Sequence, residues 1–336
     1  MIKNYINKIL AKENLTQNES YDAMQRIMSG EVNQILLSAF LISLKSKGET
    51  ADELAGFVKA MREKSIKIDS DNAMDVCGTG GDSLGTFNIS TAVSFVVAGA
   101  GVKVAKHGNR SVSSNSGSAD VLTELGVNIQ MKPEISEKIL NKIGITFLFA
   151  PLYHPAMKHA SETRRELGLR TVFNILGPLT NPANVQKQMI GTFNYTTAKL
   201  LCDSAENLDY EAVKIICNDN KYDEILLDSE TRVYNYNKLN GQSEYFLSNY
   251  DFNYPKVDKQ SLLSENAKKS AEMILNVLQN HSSNGTFHTI AANSAVALKC
   301  AGYSDSLDNC LQAAEESIRS GKAFYKLNQL VEYSNK

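Results

Sequence analysis

Between Asp75 and Gly126 the chain reads DVCGTGGDSLGTFNIST and then KHGNRSVSSNSGSADVLTELG, two glycine- and hydroxyl-rich stretches, each set where a strand pattern gives way to a helical one. The first interleaves Gly78, Gly80, Gly81 and Gly85 with Thr79, Ser83 and Thr86, and then places Asn88, Ser90 and Thr91 at the start of an apolar helical run. Glycine lets main-chain N–H groups approach an anion, hydroxyls donate further bonds, and a helix N-terminus adds a favourable dipole. The second repeats this chemistry and adds Lys106, His107 and Arg110. A plain connection needs neither this length nor this density of hydroxyls, and two such loops suit a ligand with two separate phosphate groups. The named nucleotide motifs do not fit. Gly85 is followed by Thr86 and Phe87, not by the Lys and Ser/Thr of a P-loop, and a dinucleotide fingerprint at Gly99-Ala100-Gly101 fails at Val104.

Other reactive types exclude more than they suggest. The five cysteines are widely spaced without a CxxC pair, which reads as free buried thiols. His154 and His159 lie five apart, not at the i, i+4 spacing of a two-histidine zinc site, and no HExxH is present. Arg164 and Arg165 share one helical stretch, where either suits a surface charge as well as a binding site.

These groups need a frame. Residues 1 to about 65 read as all helix, with capping-box spacing at Thr16/Glu19 and Thr50/Glu53. The helix at 32–46 is apolar on more than one face, a surplus that a subunit interface could use. From Asp75 onward, the runs VKVAKH, ITFLFA, QMIGTF and AVKIIC alternate with helical patterns, as in a mostly parallel sheet with crossover helices. Pro133 and Gly144 bracket one helix, Pro155 and Gly168 another. EILLD, TRVYNYN and SEYFLS read as hairpin-like strands, followed by helices at 262–279, 288–301, 306–319 and 322–333.

Composition bounds the class. At 336 residues, 43% hydrophobic and 21% charged, the chain can bury a large core in one or two domains. A formal charge of −2 argues against nucleic-acid or membrane-surface partners, which ask for a basic excess. No apolar run reaches membrane-spanning length, and the N-terminus MIKNYINKILAKENLT has charges where a signal peptide needs its apolar core, so a cytoplasmic location is expected.

GTGGD at Gly78–Asp82, NIST at Asn88–Thr91 and KHGNRSVSS at Lys106–Ser114 resemble the anthranilate phosphoribosyltransferase family. The resemblance continues through FLFAPLYHPAMKHASETRRELGLRTVFNILGPLTNPA at 147–183, NSAVALKCAG, and SGKA at 320–323, and so covers nearly the whole chain in order. It implies the nucleoside phosphorylase-like phosphoribosyltransferase architecture, a small all-helical domain plus a larger α/β domain with a mostly parallel central sheet. The expected division is 1–68 with a returning helical segment at about 164–186, against 69–163 and 187–336, in a homodimer built through the helical domain. The implied activity moves the phosphoribosyl group of 5-phosphoribosyl 1-pyrophosphate to the amine of anthranilate, with two Mg²⁺ ions per monomer.

By the same resemblance Gly78, Gly81, Asp82, Thr86, Asn88, Ile89, Ser90 and Thr91 line the pyrophosphate and ribose side. Lys106, His107, Gly108, Asn109, Arg110, Ser111, Val112, Ser113, Ser114 and Ser118 complete it. Gly78, Asn109 and Arg164 hold anthranilate, and Ser90, Asp223 and Glu224 hold metal. Ser90 and Ser118 compete with plain helix-capping roles, and no covalent nucleophile is needed. Asn115 stands where many relatives carry Lys, and Tyr222 where a smaller apolar residue is commoner. A pyrimidine nucleoside phosphorylase-like enzyme would not need the Asp-Glu pair, and a non-catalytic nucleic-acid-binding paralogue would have lost it and turned basic. No amidotransferase segment is read in the chain, so any coupling to anthranilate synthase is expected to use a separate polypeptide.

Overall fold

Four helices come first: α1 (Ile2–Leu10), α2 (Gln17–Met28), α3 (Gln34–Lys47) and α4 (Ala51–Glu63). Thr16 and Thr50 each close a capping box with the glutamate three residues on, so each entry turn has two of its N–H groups satisfied by side chains. The structure, a computed structural model, describes residues 1–80, 85–111 and 116–336.

The α/β part follows as β1 (Met74–Gly78), α5 (Ile89–Gly99), β2 (Val104–Gly108), α6 (Ser118–Glu124), α7 (Pro133–Ile143), β3 (Ile145–Phe149), α8 (Ala150–Tyr153), α9 (Lys158–Leu167), α10 (Val172–Leu179), β4 (Lys187–Gly191), α11 (Tyr195–Ala205) and β5 (Ala212–Asn218). It ends with β6 (Thr231–Asn237), β7 (Gly241–Leu247), α12 (Ala267–Leu278), α13 (Asn284–Ala301), α14 (Leu307–Arg319) and α15 (Lys322–Ser334). The sheet runs β3-β2-β1-β4-β5-β6-β7, parallel from β3 to β5 and antiparallel beyond. The chain builds outward from β1 on one side and resumes with β4 on the other. That reversal opens a crevice at the carboxyl ends of β1 and β4, the usual ligand position in an open α/β sheet.

Strand alternation sorts the core into layers. Met74, Val76, Val104, Phe147 and Met189 face the layer with α5 and the C-terminal helices. Ile190, Val213, Ile215 and Cys217 face the layer that also holds α1–α4, α10 and α11. The segment from α9 through α10 therefore packs back on the first helices, where Ala160, Phe173 and Leu176 join Met24, Phe40 and Phe57. Polar ties run alongside: Gln34 donates to Glu162 and Lys45 to the Arg170 carbonyl, both at 2.5 Å. A buried chain then crosses to the sheet. Arg62 donates to the Tyr210 hydroxyl (2.9 Å), Tyr210 to Gln188 (2.8 Å), and Gln188 to Asp75 of β1 (3.2 Å).

Two expectations need correction. EILLD is not a strand: Glu224 to Asp228 run irregularly between β5 and β6. The main chain of Ile225 finds its partners on a helix instead, donating to Asn293 Oδ1 (3.0 Å) and accepting from Asn293 Nδ2 (2.8 Å). The helix expected at 262–279 starts only at Ala267. Before it, the Phe87 N–H donates to the Leu262 carbonyl (2.9 Å) and the Ser264 N–H to the Gly85 carbonyl (2.7 Å), so this stretch braces the glycine-rich loop. Among the described residues, no helix is long and apolar enough to cross a membrane.

Candidate active site

Gly78, Gly108 and Gly191 end β1, β2 and β4 side by side, and the space above them is a polar cavity of about 290 Å³. Its walls include Gly78, Thr86, Asn88, Ser90, Lys106, Gly108, Asn109, Arg110, Ser111, Ser118, Asp223 and Glu224, which gathers most of the phosphate-binding and metal residues expected from sequence. Gly81, Asp82, Val112, Ser113, Ser114 and Asn115 lie outside the described residues. Ile89 and Thr91 are placed differently: both side chains are buried and neither lines the cavity.

The glycines here are close-approach glycines. A Cβ on Gly191 would sit 1.7 Å from the Asp223 carbonyl oxygen, one on Gly78 2.5 Å from Asp223 Oδ2, and one on Gly108 2.1 Å from Ser118 Oγ. Gly191 thus seats the acidic pair against the end of β4. Thr86 Oγ1 donates to Glu224 Oε2 (2.9 Å), joining that pair to the first loop. Asn88 is tied from both sides, accepting from Ser116 Oγ (2.8 Å) and Ser270 Oγ (2.9 Å). Asp120 accepts from Arg110 Nη1 (2.8 Å) and from the Ser111 and Gly117 N–H groups (3.0 Å each), pinning both ends of the second loop.

Lys106 is buried, and burial pulls its pKa down while Asp75 opposes the shift. Its ammonium donates to the Val76 carbonyl (2.7 Å) and Ser90 Oγ (3.3 Å), which leaves one of its three protons for a ligand in the cavity. Ser90 does not cap α5, since Asn88 holds the N-cap position and Ser90 lies inside the first turn. Its hydroxyl belongs to the cavity. Ser118 is likewise the first residue of α6, after Gly117 at the N-cap.

Asp223, Glu224, Ser90 and Thr86 make an all-oxygen donor set. Among the described residues no three His, Cys, Asp or Glu side chains come together to hold a metal. A metal here would have to complete its coordination from water and ligand phosphates, which is how Mg²⁺ is usually held. The residues fit that ion.

A second pocket of about 530 Å³ shares Gly78, His107 and Asn109 with the first and extends toward α9 and α10. Pro151, Met157, Phe173 and Pro178 give it an apolar wall, and His107, Asn109, His154, Lys158 and Arg164 are among its polar residues. The Arg164 guanidinium lies 5.2 Å from the centre of the Phe173 ring and has no ion pair or hydrogen bond among the described residues. Burial lowers its pKa. Arg165 points elsewhere, exposed and paired with Glu166 (3.5 Å).

Burial also pushes the His107 imidazole well below its ordinary pKa, with His154 beside it (ring centres 5.2 Å) adding to the shift. His154 is pushed down to about 4 by burial. Both rings are therefore neutral near pH 7. His107 is bonded to the Gly177 carbonyl and its Nε2 has no partner, which assigns the proton to Nδ1 and leaves Nε2 as an acceptor.

The description "Glycosyl transferase family, a/b domain" matches residues 70–324, and "Glycosyl transferase family, helical bundle domain" matches 3–65. The anthranilate phosphoribosyltransferase of Desulforamulus reducens is 44% identical over 336 residues, covering 99% of this chain and 97% of the relative. This chain belongs to the anthranilate phosphoribosyltransferase family. Among solved structures of the family, the enzyme from Thermus thermophilus superposes with a TM-score of 0.91 at 33% identity, covering 98% of this chain and 99% of that one. The Saccharomyces cerevisiae enzyme in complex with PRPP and Mg gives a TM-score of 0.91 at 27% identity, covering 99% and 98%.

Sequence reasoning passed over several walls of the two cavities. Arg170 lines the first cavity, Asn174 lines both, and His154, Pro151 and Pro178 line the second. A signal existed for part of this, because APLYHPAM directly follows β3 and so falls at the carboxyl edge of the sheet.

Proposed function

We propose that this chain transfers the phosphoribosyl group of 5-phosphoribosyl 1-pyrophosphate to the amine of anthranilate, releasing pyrophosphate. The observation that carries the reading is Arg164, a half-buried cation without an anionic partner, in an apolar pocket that opens onto a polar cavity over shared walls at Gly78 and Asn109. A planar guanidinium over an aromatic ring suits a benzoate-type carboxylate. The pocket's prolines, Met157 and Phe173 suit the ring.

In the reaction the amine nitrogen bonds to the anomeric carbon while the bond from that carbon to the pyrophosphate oxygen breaks, its electron pair leaving with pyrophosphate. Lys106 contributes its remaining N–H to a phosphate oxygen, and Gly108 lets the ligand lie against the end of β2. Asp223 and Glu224 on one side and Ser90 on the other would hold two Mg²⁺ ions, which stabilise negative charge on the leaving group when bound. Arg164 orients the acceptor, Asn109 contacts it at the junction of the cavities, and His107 Nε2 accepts from the amine N–H. An acceptor of low basicity suits an aromatic amine, whose proton turns acidic once the new bond forms.

Residues 1–68 with about 164–186 act as the helical unit and the remainder as the α/β unit, with the substrates meeting at their seam; the packing of α9 and α10 on the first helices supports this division. The chain works in the cytoplasm as a homodimer through the helical unit, where Ile35 and Ile42 of α3 expose apolar surface. The deciding experiment follows loss of anthranilate fluorescence with phosphoribosyl pyrophosphate and Mg²⁺. Turnover that depends on both additions is expected, and folded protein without turnover removes the proposal.

A further inference from the structure

We propose that Arg170 binds the departing pyrophosphate from the helical side of the molecule, an inference that rests on the reaction proposed above. Arg170 lies between α9 and α10 and lines the phosphate cavity beside Asn174. Three Lys or Arg side chains line that cavity in the described residues. Lys106 is bonded to Val76 and Ser90, and Arg110 is paired with Asp120. Arg170 alone has neither an ion pair nor a hydrogen bond from its guanidinium among the described residues; it rests on the Phe193 ring, 4.5 Å from the ring centre.

The main chain around it is fixed. Lys45 donates to its carbonyl (2.5 Å), and the next N–H, of Thr171, donates to Asn174 Oδ1 (3.0 Å). A ring contact leaves the guanidinium N–H groups without a hydrogen-bond acceptor, so they remain for a ligand, and a guanidinium can meet a phosphate through two of them.

Phe193 tells which end of the cavity this is. It follows Gly191, whose position is packed directly against the Asp223 carbonyl and whose own carbonyl accepts from the Thr79 N–H (2.9 Å). Arg170 therefore stands on the Asp223–Glu224 side of the cavity. On the proposed reaction, that end receives the growing charge of the leaving group. A cation there stabilises pyrophosphate more as the bond breaks, because the charge it meets is increasing. Arg170 sits on the segment packed against the helical layer and Asp223 on the loop after β5 that is seated on Gly191 of β4, so a pyrophosphate touching both spans the seam.

The test uses the full chain and four proteins: wild type, Arg170→Gln, Arg170→Lys and Phe193→Leu. Pyrophosphate binding with Mg²⁺ is measured by calorimetry, and steady-state constants for both substrates by anthranilate fluorescence. Arg170→Gln is expected to weaken pyrophosphate binding by about ten- to a hundredfold and to lower kcat/KM for phosphoribosyl pyrophosphate by a similar factor, with the anthranilate KM and the melting temperature unchanged. Arg170→Lys should recover part of the loss, and Phe193→Leu should reproduce a smaller version of it. Unchanged pyrophosphate affinity in Arg170→Gln, or a defect confined to the anthranilate KM, overturns the assignment. Wild type that binds pyrophosphate in an Arg170-dependent way without turning over would remove the proposed reaction and leave the anion site standing; wild type that binds no pyrophosphate removes the site itself.

Discussion

The two cavities that meet at Gly78 and Asn109 are built on opposite plans. Around the phosphate cavity, Arg170 apart, the polar groups already hold one another: Lys106 with Val76 and Ser90, Glu224 with Thr86, Asn88 with Ser116 and Ser270, Asp120 with both ends of the second loop. In the acceptor pocket the polar atoms that face the ligand space are left without a protein partner. Arg164 has no anion, and Nε2 of both His107 and His154 is buried and unbonded. A polyanion gains from donors fixed in advance, since few side chains then need ordering when it binds. A small aromatic acid gains instead from a few unsatisfied points in an apolar wall, because a ligand lacking the matching group leaves them unpaired.

The largest effect should come from breaking the phosphate side alone. Replacing Asp223 by Asn and Glu224 by Gln together keeps shape and polarity but removes both negative charges. Turnover should fall by about a hundredfold or more, in line with loss of one preorganised electrostatic element, while the protein stays folded. Steady-state assays across a Mg²⁺ titration check this. Full activity with an unaltered Mg²⁺ requirement would detach the acidic pair from the chemistry.

Next in size is the converse break. Arg164→Ala removes a charge-assisted contact worth about 1.5–3 kcal/mol, which is roughly ten- to a hundredfold in the anthranilate KM, and should leave phosphoribosyl pyrophosphate affinity nearly unmoved. Arg165→Ala serves as control, since that side chain is exposed and already paired with Glu166. Matched titrations of each substrate in both variants decide it. A defect in Arg165→Ala alone would show that the other arginine faces the acceptor.

The phosphate side was the more legible in sequence for the same structural reason. Glycines, hydroxyls and Lys106 lie within two short loops, so their chemistry is local and survives without knowledge of the fold. The acceptor pocket is assembled from β1, β2, the turn after β3, α9 and α10, and Asn109 and Arg164 were reached as acceptor contacts only through a family resemblance. Its apolar wall and His154 depend on how distant segments meet. The irregular course of Glu224 to Asp228 was hidden for a like reason. Ile225 takes its main-chain partners from Asn293, a residue on α13 that no local pattern brings to it. For Ser90, sequence left capping and ligation in competition. Asn88 occupying the N-cap position removes the first role, and Lys106 reaching across from β2 shows which way the hydroxyl faces.

A smaller change sharpens the comparison by acting on the shared wall. A Cβ at Gly78 would fall 2.5 Å from Asp223 Oδ2, the far end of a side chain that can swing aside. Gly78→Ala should therefore cost little stability yet displace one carboxylate and intrude on both cavities. A several-fold rise in KM for both substrates is expected. A rise for one only would mean that the cavities do not share this wall when occupied.

The smallest expected effect tests whether the acceptor pocket is as dry as its two histidines imply. Burial holds His107 well below its ordinary pKa and His154 down at about 4, against an unfolded value near 6.5. A base with a depressed folded pKa contributes stability that is present above the unfolded pKa and is lost as pH falls toward the folded one. Between about pH 6.5 and pH 4 the unfolded chain takes up protons that the folded chain refuses, so unfolding becomes easier by at most about 1.4 kcal/mol per pH unit for each histidine. Asp75 works in the opposite sense, because burial raises its pKa and the folded chain protonates it first as pH falls. Denaturant melts of wild type and His154→Gln through this range separate the contributions, since Asp75 is common to both. The stability difference between the two proteins should shift in favour of the variant as pH falls from about 6.5 toward 4. A difference that stays flat would mean that His154 keeps its ordinary pKa in the folded state, and the acceptor pocket would then be a wetted cleft rather than the apolar seat that Arg164 needs.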